Sequence, residues 1–422
     1  MNRLPKIAKN LQISLPVDWK WLTTEEVSDE IVDCLHSTPK FSDSGKYCID
    51  TTCIEPERIL FNKARFVSEE IYQDRIRRLK PQESDILFSR EGTIGTTVLV
   101  PPNIDICLGQ RMMMFRTNKD ILSYFFLQVL NSYIFRRQWE SLITGTAALH
   151  VNIRDIKKLY LPVPPINEQD KIVSILYNLN KIIIITEKVT DYLLNLKRGL
   201  MQRLFTEGIG HNEFKETRVG KIPEEWEIQK IGELAIKMKS GGTPLTRIKE
   251  YYDNGEIPFV KIEDLSSTRK FLINTRIEIT KEGLDNSNAW IVPKNSWLFA
   301  IYGSLGEQAI NKIEVSTNQA ILGIILDRNL GLPEFYYYWF EYWKNQLQRY
   351  AITTTQPNLS KQIFEKLKVV KPNIEEQNVI TEILSSTDDI IEKEIIYMKN
   401  LKIIKKGLMQ DLLTGKKRVQ IN

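Results

Sequence analysis

The sequence predicts an α+β protein: two mixed α/β domains separated by a long antiparallel two-helix coiled coil, with an internal pseudo-twofold repeat. Three observations carry this expectation. One helix end is written twice, as "KRGLMQRLFTEG" from Lys197 to Gly208 and as "KKGLMQDLLTGK" from Lys405 to Lys416. Each copy closes a long stretch whose apolar residues recur three and four positions apart. Each such stretch follows a proline hinge, and before the hinge lies a segment of short β-rich runs divided by turn residues.

A chain of 422 residues exceeds one ordinary core, so two or three domains are expected. With 42% hydrophobic and 26% charged residues the composition is that of a globular protein. The net charge of +5 is compatible with a nucleic-acid partner without requiring one. The longest apolar runs, Ile182 to Ile185 and Ile321 to Leu326, are core-sized and far short of the ~18 residues that span a bilayer. The opening "MNRLPKIAKN" has basic residues with no apolar stretch behind them, so no signal peptide is expected and a cytoplasmic location follows. Cys34, Cys48, Cys53 and Cys107 suggest no disulfide framework. Cys34, His36, Cys48 and Cys53 lack the tight spacing of zinc knuckles, which favours ordinary buried thiols.

The repeat sets the order of elements. A shift of 208 residues brings Gly199 onto Gly407. With small adjustments, "LPVDW" (Leu15 to Trp19) then pairs with "IPEEW" (Ile222 to Trp226). "DILFSREGTIG" (Asp85 to Gly95) pairs with "SWLFAIYGSLG" (Ser296 to Gly306), and Gln110 with Gln319. "TGTAALHVNIRDIKKL" (Thr144 to Leu159) pairs with "TTTQPNLSKQIFEKL" (Thr353 to Leu367). "PVPPINEQDKIVSIL" (Pro162 to Leu176) pairs with "VVKPNIEEQNVITEIL" (Val369 to Leu384). A repeat of this length is a duplicated domain rather than a solenoid unit. The expected partition is a first domain at 1–165, a long helix at 166–208, a linker at 209–219, a second domain at 220–372, a second long helix at 373–415 and a tail at 416–422. The tail "TGKKRVQIN" matches the linker start "TEGIGHNEF", and the first residues resemble its continuation, so the two ends of the sequence should meet. "KMKSGGTPLTRIKEYYDNGEIPFVKIEDL" (Lys237 to Leu265) finds no good counterpart in the first half.

Pro164-Pro165 and Pro372 start the helices, because proline cannot continue a helix and extends its predecessor. Glu168 and Glu375-Glu376 suit the positive N-terminal pole, and Lys197-Arg198 and Lys405-Lys406 the other end. Gly208 and Gly415 mark the stops. The expected seam runs Ile172, Leu176, Leu179, Ile183, Val189, Leu193, Leu196, Leu200, Leu204 in the first helix. In the second it runs Ile380, Leu384, Ile391, Ile395, Met398, Leu401, Leu408, Leu412. Polar Thr186, Thr387 and Glu394 interrupt the seam, and the plainest partner for each seam is the other copy. The dense aromatic runs "LSYFFLQVL" (Leu122 to Leu130) and "EFYYYWFEYW" (Glu334 to Trp343) have helical spacing and read as core.

Chemistry-bearing motifs are scarce. No nucleotide-binding Gly-x-x-x-x-Gly-Lys-Ser/Thr loop or His-Glu-x-x-His occurs, and three histidines leave little for acid–base work. The sequence reads as a binding protein.

The repeated Pro-x-x-x-Glu-Gln hinge and the Gly-Leu-Met-Gln-x-Leu-x-Thr-Gly-like helix end resemble the specificity subunit of type I restriction-modification systems. Here they stand as "PPINEQ" with "GLMQRLFTEG" and "KPNIEEQ" with "GLMQDLLTGK". The Pro-x-x-Trp starts, the "GTIG" and "GSLG" turns and "SGGTP" (Ser240 to Pro244) are also similar to that family, over essentially the whole chain. The resemblance implies two target-recognition domains, each reading one half of a bipartite, asymmetric DNA site in defence against foreign DNA. It implies paired helices that set the spacing and dock two methyltransferase subunits, to which two restriction subunits can add. S-adenosylmethionine, ATP and Mg²⁺ would sit on those partners, with no cofactor, metal or catalytic residue on this chain.

Polar groups near turns and hinges then become the candidate double-stranded DNA contacts. They are Arg90, Thr93, Arg111, Thr144, Thr146 and His150 in the first domain. In the second they are Lys239, Ser240, Thr243, Lys261, Tyr302, Ser304, Thr354, Gln356 and Asn358. The candidate docking residues are Glu168, Gln169, Lys197, Met201 and Gln202 with Glu376, Gln377, Lys405, Met409 and Gln410. Gln110 and Gln319 are expected to pin the two scaffolds. Two other readings remain: a related restriction enzyme's specificity part with its own catalytic role, and a coiled-coil adaptor without a DNA role.

Overall fold

The computed structural model describes residues 13–143, 149–350, 352–353 and 357–420. The chain forms two compact units, Met1–Glu187 with Tyr397–Asn422 and Lys188–Ile396. The division differs from the linear partition expected. Each unit takes one domain together with the start of one long helix and the end of the other.

In unit 1 the longer strands are β1 (Lys20–Thr23), β2 (Ser28–Asp33), β3 (Lys46–Ile49), β4 (Arg65–Val67), β5 (Ile86–Ser89), β6 (Thr97–Leu99), β7 (Ile106–Leu108), β8 (Met112–Thr117) and β9 (Tyr160–Val163). They form a four-stranded sheet of order β2-β8-β5-β6, a three-stranded sheet β4-β3-β7 and the pair β1-β9. β5 reads Ile-Leu-Phe-Ser and is buried at every position, as expected of a central strand covered on both faces. Helices α1 (Ser123–Leu130) and α2 (Tyr133–Glu140) pack Phe125, Phe126, Phe135 and Trp139 onto Phe88 and Phe115 of the sheet.

Unit 2 repeats the plan with β10 (Glu227–Lys230), β11 (Ala235–Ser240), β12 (Ile257–Val260), β13 (Phe271–Leu272), β14 (Ile277–Ile279), β15 (Trp297–Ala300), β16 (Gln308–Asn311), β17 (Ser316–Thr317), β18 (Ile321–Leu326) and β19 (Lys368–Lys371). Its sheets run β11-β18-β15-β16-β13, β14-β12-β17 and β10-β19. Helix α3 (Ile166–Thr206) belongs in part to each unit, α4 (Pro333–Tyr342) is the counterpart of α1, and α5 (Ile374–Leu412) again belongs in part to each. The aromatics of α4 are core, as expected: Phe335, Tyr336, Tyr338, Trp339 and Phe340 are buried.

Register proves the repeat at residue level. Phe88 pairs with Met113 and Met113 with Asp33 in unit 1; Phe299 pairs with Leu322 and Leu322 with Ser240 in unit 2. The parallel pair β3·β7 corresponds to β12·β17. The segment Lys237–Leu265 therefore has a structural counterpart, contrary to expectation: β11, the Thr243-Pro244 turn and β12 match β2, Thr38-Pro39 and β3. One of the differing letters has a steric reason. A Cβ on Gly241 would meet the Thr317 carbonyl oxygen at 1.8 Å, while its counterpart in unit 1 is Cys34, a buried thiol.

The seam of the long helices also differs from the expected one. Ile172, Leu176, Ile183, Thr186, Thr190, Lys197, Met201 and Leu204 are buried, whereas Val189 and Leu196 are 40% and 41% exposed. From Ile172 to Lys197 the buried positions fit an alternation of three and four through polar residues, where the apolar letters alone shift phase. On α5 the expected polar interruption Thr387 is buried in the same cadence, beside Ile380, Leu384, Ile391 and Leu401. Within unit 1, Ile172 and Leu176 of α3 share a core with Leu408, Met409 and Leu412 of α5. Within unit 2, Met201 and Leu204 of α3 share a core with Ile380 and Leu384 of α5. In each unit the start of one helix lies with the end of the other.

Candidate nucleic-acid interface and the latches behind it

Each unit presents one loop cluster at the same place on its sheet. In unit 1 the turn after β5, Arg90 to Gly95, is closed by Gly95 N donating to Ser89 O (2.8 Å). Gly92 and Gly95 have φ of +70° and +86°, and their counterparts Gly303 and Gly306 have +76° and +90°. Glycine adopts that conformation without a Cβ penalty, which explains the two "G-x-x-G" turns.

Two backbone bonds join this turn to its neighbours in each unit. Arg90 N donates to Arg111 O (3.1 Å) and Val151 N to Arg90 O (3.1 Å); Ile301 N donates to Ala320 O (2.8 Å) and Leu359 N to Ile301 O (2.9 Å). Thr93, Arg111 and His150 are thereby gathered in unit 1, and Tyr302, Ser304 and Asn358 in unit 2. A third loop joins each cluster: Thr38 Oγ1 donates to Gln110 Oε1 (3.0 Å), and Thr243 Oγ1 to Gln319 Oε1 (2.5 Å). Gln110 also donates to the His36 carbonyl (2.7 Å), so the two glutamines pin the loops, as expected. Thr38, Asp33 and Glu91 were not legible as members of this cluster. The Thr-Pro dipeptide after each strand is the signal that could have found Thr38.

The remaining candidates fall as follows. Lys239 is exposed, with its ammonium 6.0 Å from the Trp290 ring beside Lys237 at 4.3 Å. Ser240 closes β11, and the Lys261 amide donates to Asp264 at the start of a short helix (2.8 Å). Thr144, Thr146, Thr354 and Gln356 lie outside the described residues. Arg90 requires correction as a DNA contact: it is 5% exposed. Its guanidinium is held by Asp33 (Nε, 3.0 Å), Glu91 (Nη1, 3.2 Å) and the His36 ring (Nη2, 3.1 Å). It supports the surface from within, because a buried cation persists only when paired.

The docking candidates require a similar revision. Glu168 is wholly buried and accepts from Trp19 Nε1 (3.0 Å) and from the Arg418 guanidinium (2.6 and 3.1 Å). Arg418 also reaches Asp18 (2.7 and 2.9 Å). The side-chain hydrogen bond from Arg418 holds the Asp18 carboxyl below its usual range. In unit 2 Glu376 accepts from Trp226 Nε1 (2.9 Å) and lies 3.0 Å from His211 Nε2. The adjacent glutamines cap helices. Gln169 Oε1 accepts from Leu122 N (2.8 Å) and Gln377 Oε1 from Leu332 N (2.9 Å), at the first turns of α1 and α4. Each caps one of the orphan N–H groups at a helix start. The repeated Glu-Gln pair is thus an internal latch between long helix and domain.

Lys197 is buried against Glu341 (2.7 Å) and Asp388 (2.8 Å) in unit 2. Lys405 pairs with Glu57 and donates to Asn180 (2.8 Å) in unit 1. Met201 belongs to the unit 2 core. Gln202 and Gln410 are exposed and Met409 is half-buried. Ile182, Ile185 and Tyr397 of unit 1 and Val189, Tyr192 and Ile390 of unit 2 leave 40% or more of their surface open on the long helices.

Residues 16–195 and 223–397 match a family described as "Type I restriction modification DNA specificity domain". The chain is 26% identical over 417 residues to a putative type I restriction enzyme MjaX specificity subunit of Methanocaldococcus jannaschii, covering 96% of this chain and 95% of that one. It is 27% identical to the MjaVIII specificity subunit of the same organism, over 80% of each chain. Among solved structures, a chain from work on assembly and conformational transition of a type I restriction–modification system superposes with TM-score 0.59 at 15% identity, covering 96% of this chain and 100% of that one. A specificity subunit from M. genitalium superposes with TM-score 0.58 at 15% identity, covering 100% and 99%. Both share the fold.

Proposed function

The chain belongs to the type I restriction–modification DNA specificity family, and from that premise we propose that its two units are separate readers, each recognising one half of a bipartite, asymmetric site in double-stranded DNA. It is the recognition subunit of a modification complex and not its catalyst. One observation carries the two-reader reading: a single scaffold is built twice, in the same register, with different side chains on the same loops. The long helices pair antiparallel along their length about a pseudo-twofold axis and set the distance between the two readings. The open apolar positions on α3 and α5, with Gln202, Met409 and Gln410, dock two methyltransferase subunits. Those subunits carry S-adenosylmethionine, and two restriction subunits with ATP and Mg²⁺ can join them. Exposed apolar side chains on a surface helix mark such a contact.

Exchange of residues 220–372 for the matching domain of a relative tests the reading. Sequencing of methylated adenines in cells carrying the exchanged chain and its methyltransferase should show one half of the target changed and the other retained. A change in both halves would mean that the units do not read independently.

A further inference from the structure

The shared register allows the two loop clusters to be compared position by position. Asp33, Arg90, Glu91 and Arg111 of unit 1 correspond to Ser240, Ile301, Tyr302 and Ala320 of unit 2. One spot on the scaffold is charged in unit 1 and uncharged in unit 2.

This difference separates two kinds of DNA contact. Phosphates look the same at every base pair, so a group that grips them serves both copies of a duplicated scaffold. Base edges differ between the halves of an asymmetric site, so groups that read them must differ. An exposed charged group present at this spot in one copy only has the pattern expected of a base reader, whereas buried ones can only support it.

Arg111 is the member of the set that can reach out. Its side chain is 50% exposed, and its guanidinium lies 3.7 Å from Glu91, beyond hydrogen-bond length. Glu91 is already engaged by Arg90, which Asp33 holds in turn. The Arg111 backbone is fixed by Arg90 N and has φ of +72°, a conformation that long side chains rarely adopt. Ala320 is not among the described residues with positive φ.

We propose that Arg111 is a specificity-determining residue of unit 1 that reads a guanine in the major groove, its two-pronged guanidinium donating to O6 and N7. Arginine is the side chain best matched to that base edge. Arg90, Asp33 and Glu91 act as positioning residues that aim it. The inference rests on the DNA-reading function proposed above.

The test uses the full chain assembled with its methyltransferase and a pool of randomised duplexes, with the methylated molecules sequenced. The parent should select a two-part motif with a G·C pair at one position that Arg111→Ala relaxes. Discrimination there should fall on the order of tenfold or more, with the other half unchanged. Arg111→Lys should keep G·C with weaker discrimination, because lysine retains the charge and lacks the fork. Three results would overturn the inference. One is an unchanged motif in both variants. Another is uniformly weaker methylation with a salt dependence reduced by about one unit, the signature of a phosphate contact. The third is loss of methylation on every sequence in both variants, which marks a structural role. A parent that selects no two-part motif would instead overturn the two-reader function itself.

Discussion

Glu168 and Glu376 show how a residue's role can be visible in sequence and its mechanism hidden. Their repetition next to glutamine and after proline marked them as important, and the positive pole of a helix start explained an acidic residue there. Neither signal told that each carboxylate would be buried under a tryptophan more than a hundred residues away. Hydrogen-bond partners across such distances follow from the fold and not from local pattern. Replacing Glu168 by Ala leaves the buried Trp19 Nε1 without its acceptor, which should cost about 1–3 kcal/mol. Glu376→Ala should cost a similar amount through Trp226. Hydrogen exchange should show loosening confined to unit 1 for Glu168→Ala and to unit 2 for Glu376→Ala. Protection lost in both units alike would mean that the latches are not local. A second residue-scale test uses pH. Hydrogen bonds from Lys46 and then Lys80 hold the Asp105 carboxyl down at about 2. A folded-state value below the unfolded one stabilises the protein above the unfolded value and ceases to do so as pH falls through the folded one. Asp105→Asn should therefore melt below the parent at neutral pH, with the gap closing as pH falls from about 4 towards about 2. A gap independent of pH would exclude those ion pairs as its source.

At the scale of elements, the long helices were the most legible part, because proline starts, glycine stops and a repeated apolar cadence agree with one another. The expected bounds of 166–208 and 373–415 became Ile166–Thr206 and Ile374–Leu412. The seam was less legible. Thr186 is legible as a polar interruption of the seam, but the apolar letters then step to Val189 and Leu196, whereas the buried line passes through Thr190 and Lys197. Lys197 is tolerated there because Glu341 and Asp388 neutralise it. The β-rich segments were legible as strands, but the match between β11 and β2 was not, because their letters differ throughout and the register that equates them is set by partner strands far away in the sequence. If the helices set the spacing, one heptad inserted after Glu187 and another after Ile395 should preserve the cadence and lengthen the pair by roughly 10.5 Å. At about 3.4 Å per base pair the unread gap should grow by about three base pairs, with both recognised halves unchanged. Mapping methylated adenines reads this directly, and a methylating variant with the parental gap would show that something other than the helices fixes the distance.

At the scale of the molecule, the units are built from the sequence in different ways. Unit 2 is one continuous stretch, and all its latch partners, His211, Trp226 and Glu376, lie within it. Unit 1 needs two stretches, and its latch joins Asp18 and Glu168 to Arg418. The matching of the tail with the linker made the return of the tail to the first domain legible in the sequence; the first residues, Met1 to Asn10, which also entered that expectation, lie outside the described residues. What sequence could not supply was the chemistry of the closure, an arginine in one unit where the other has a histidine. This arrangement fixes an order of events during synthesis. As the chain leaves the ribosome, residues 1–187 emerge first but lack Leu408, Leu412 and Arg418. Their half of α3 has no helix to lie against, and the buried Glu168 has no guanidinium. Unit 2 has every part it needs once Ile396 has been added to the chain, whereas unit 1 is complete only with Arg418. The half made first waits, with an apolar helix face uncovered, until the last turns of α5 and Arg418 arrive.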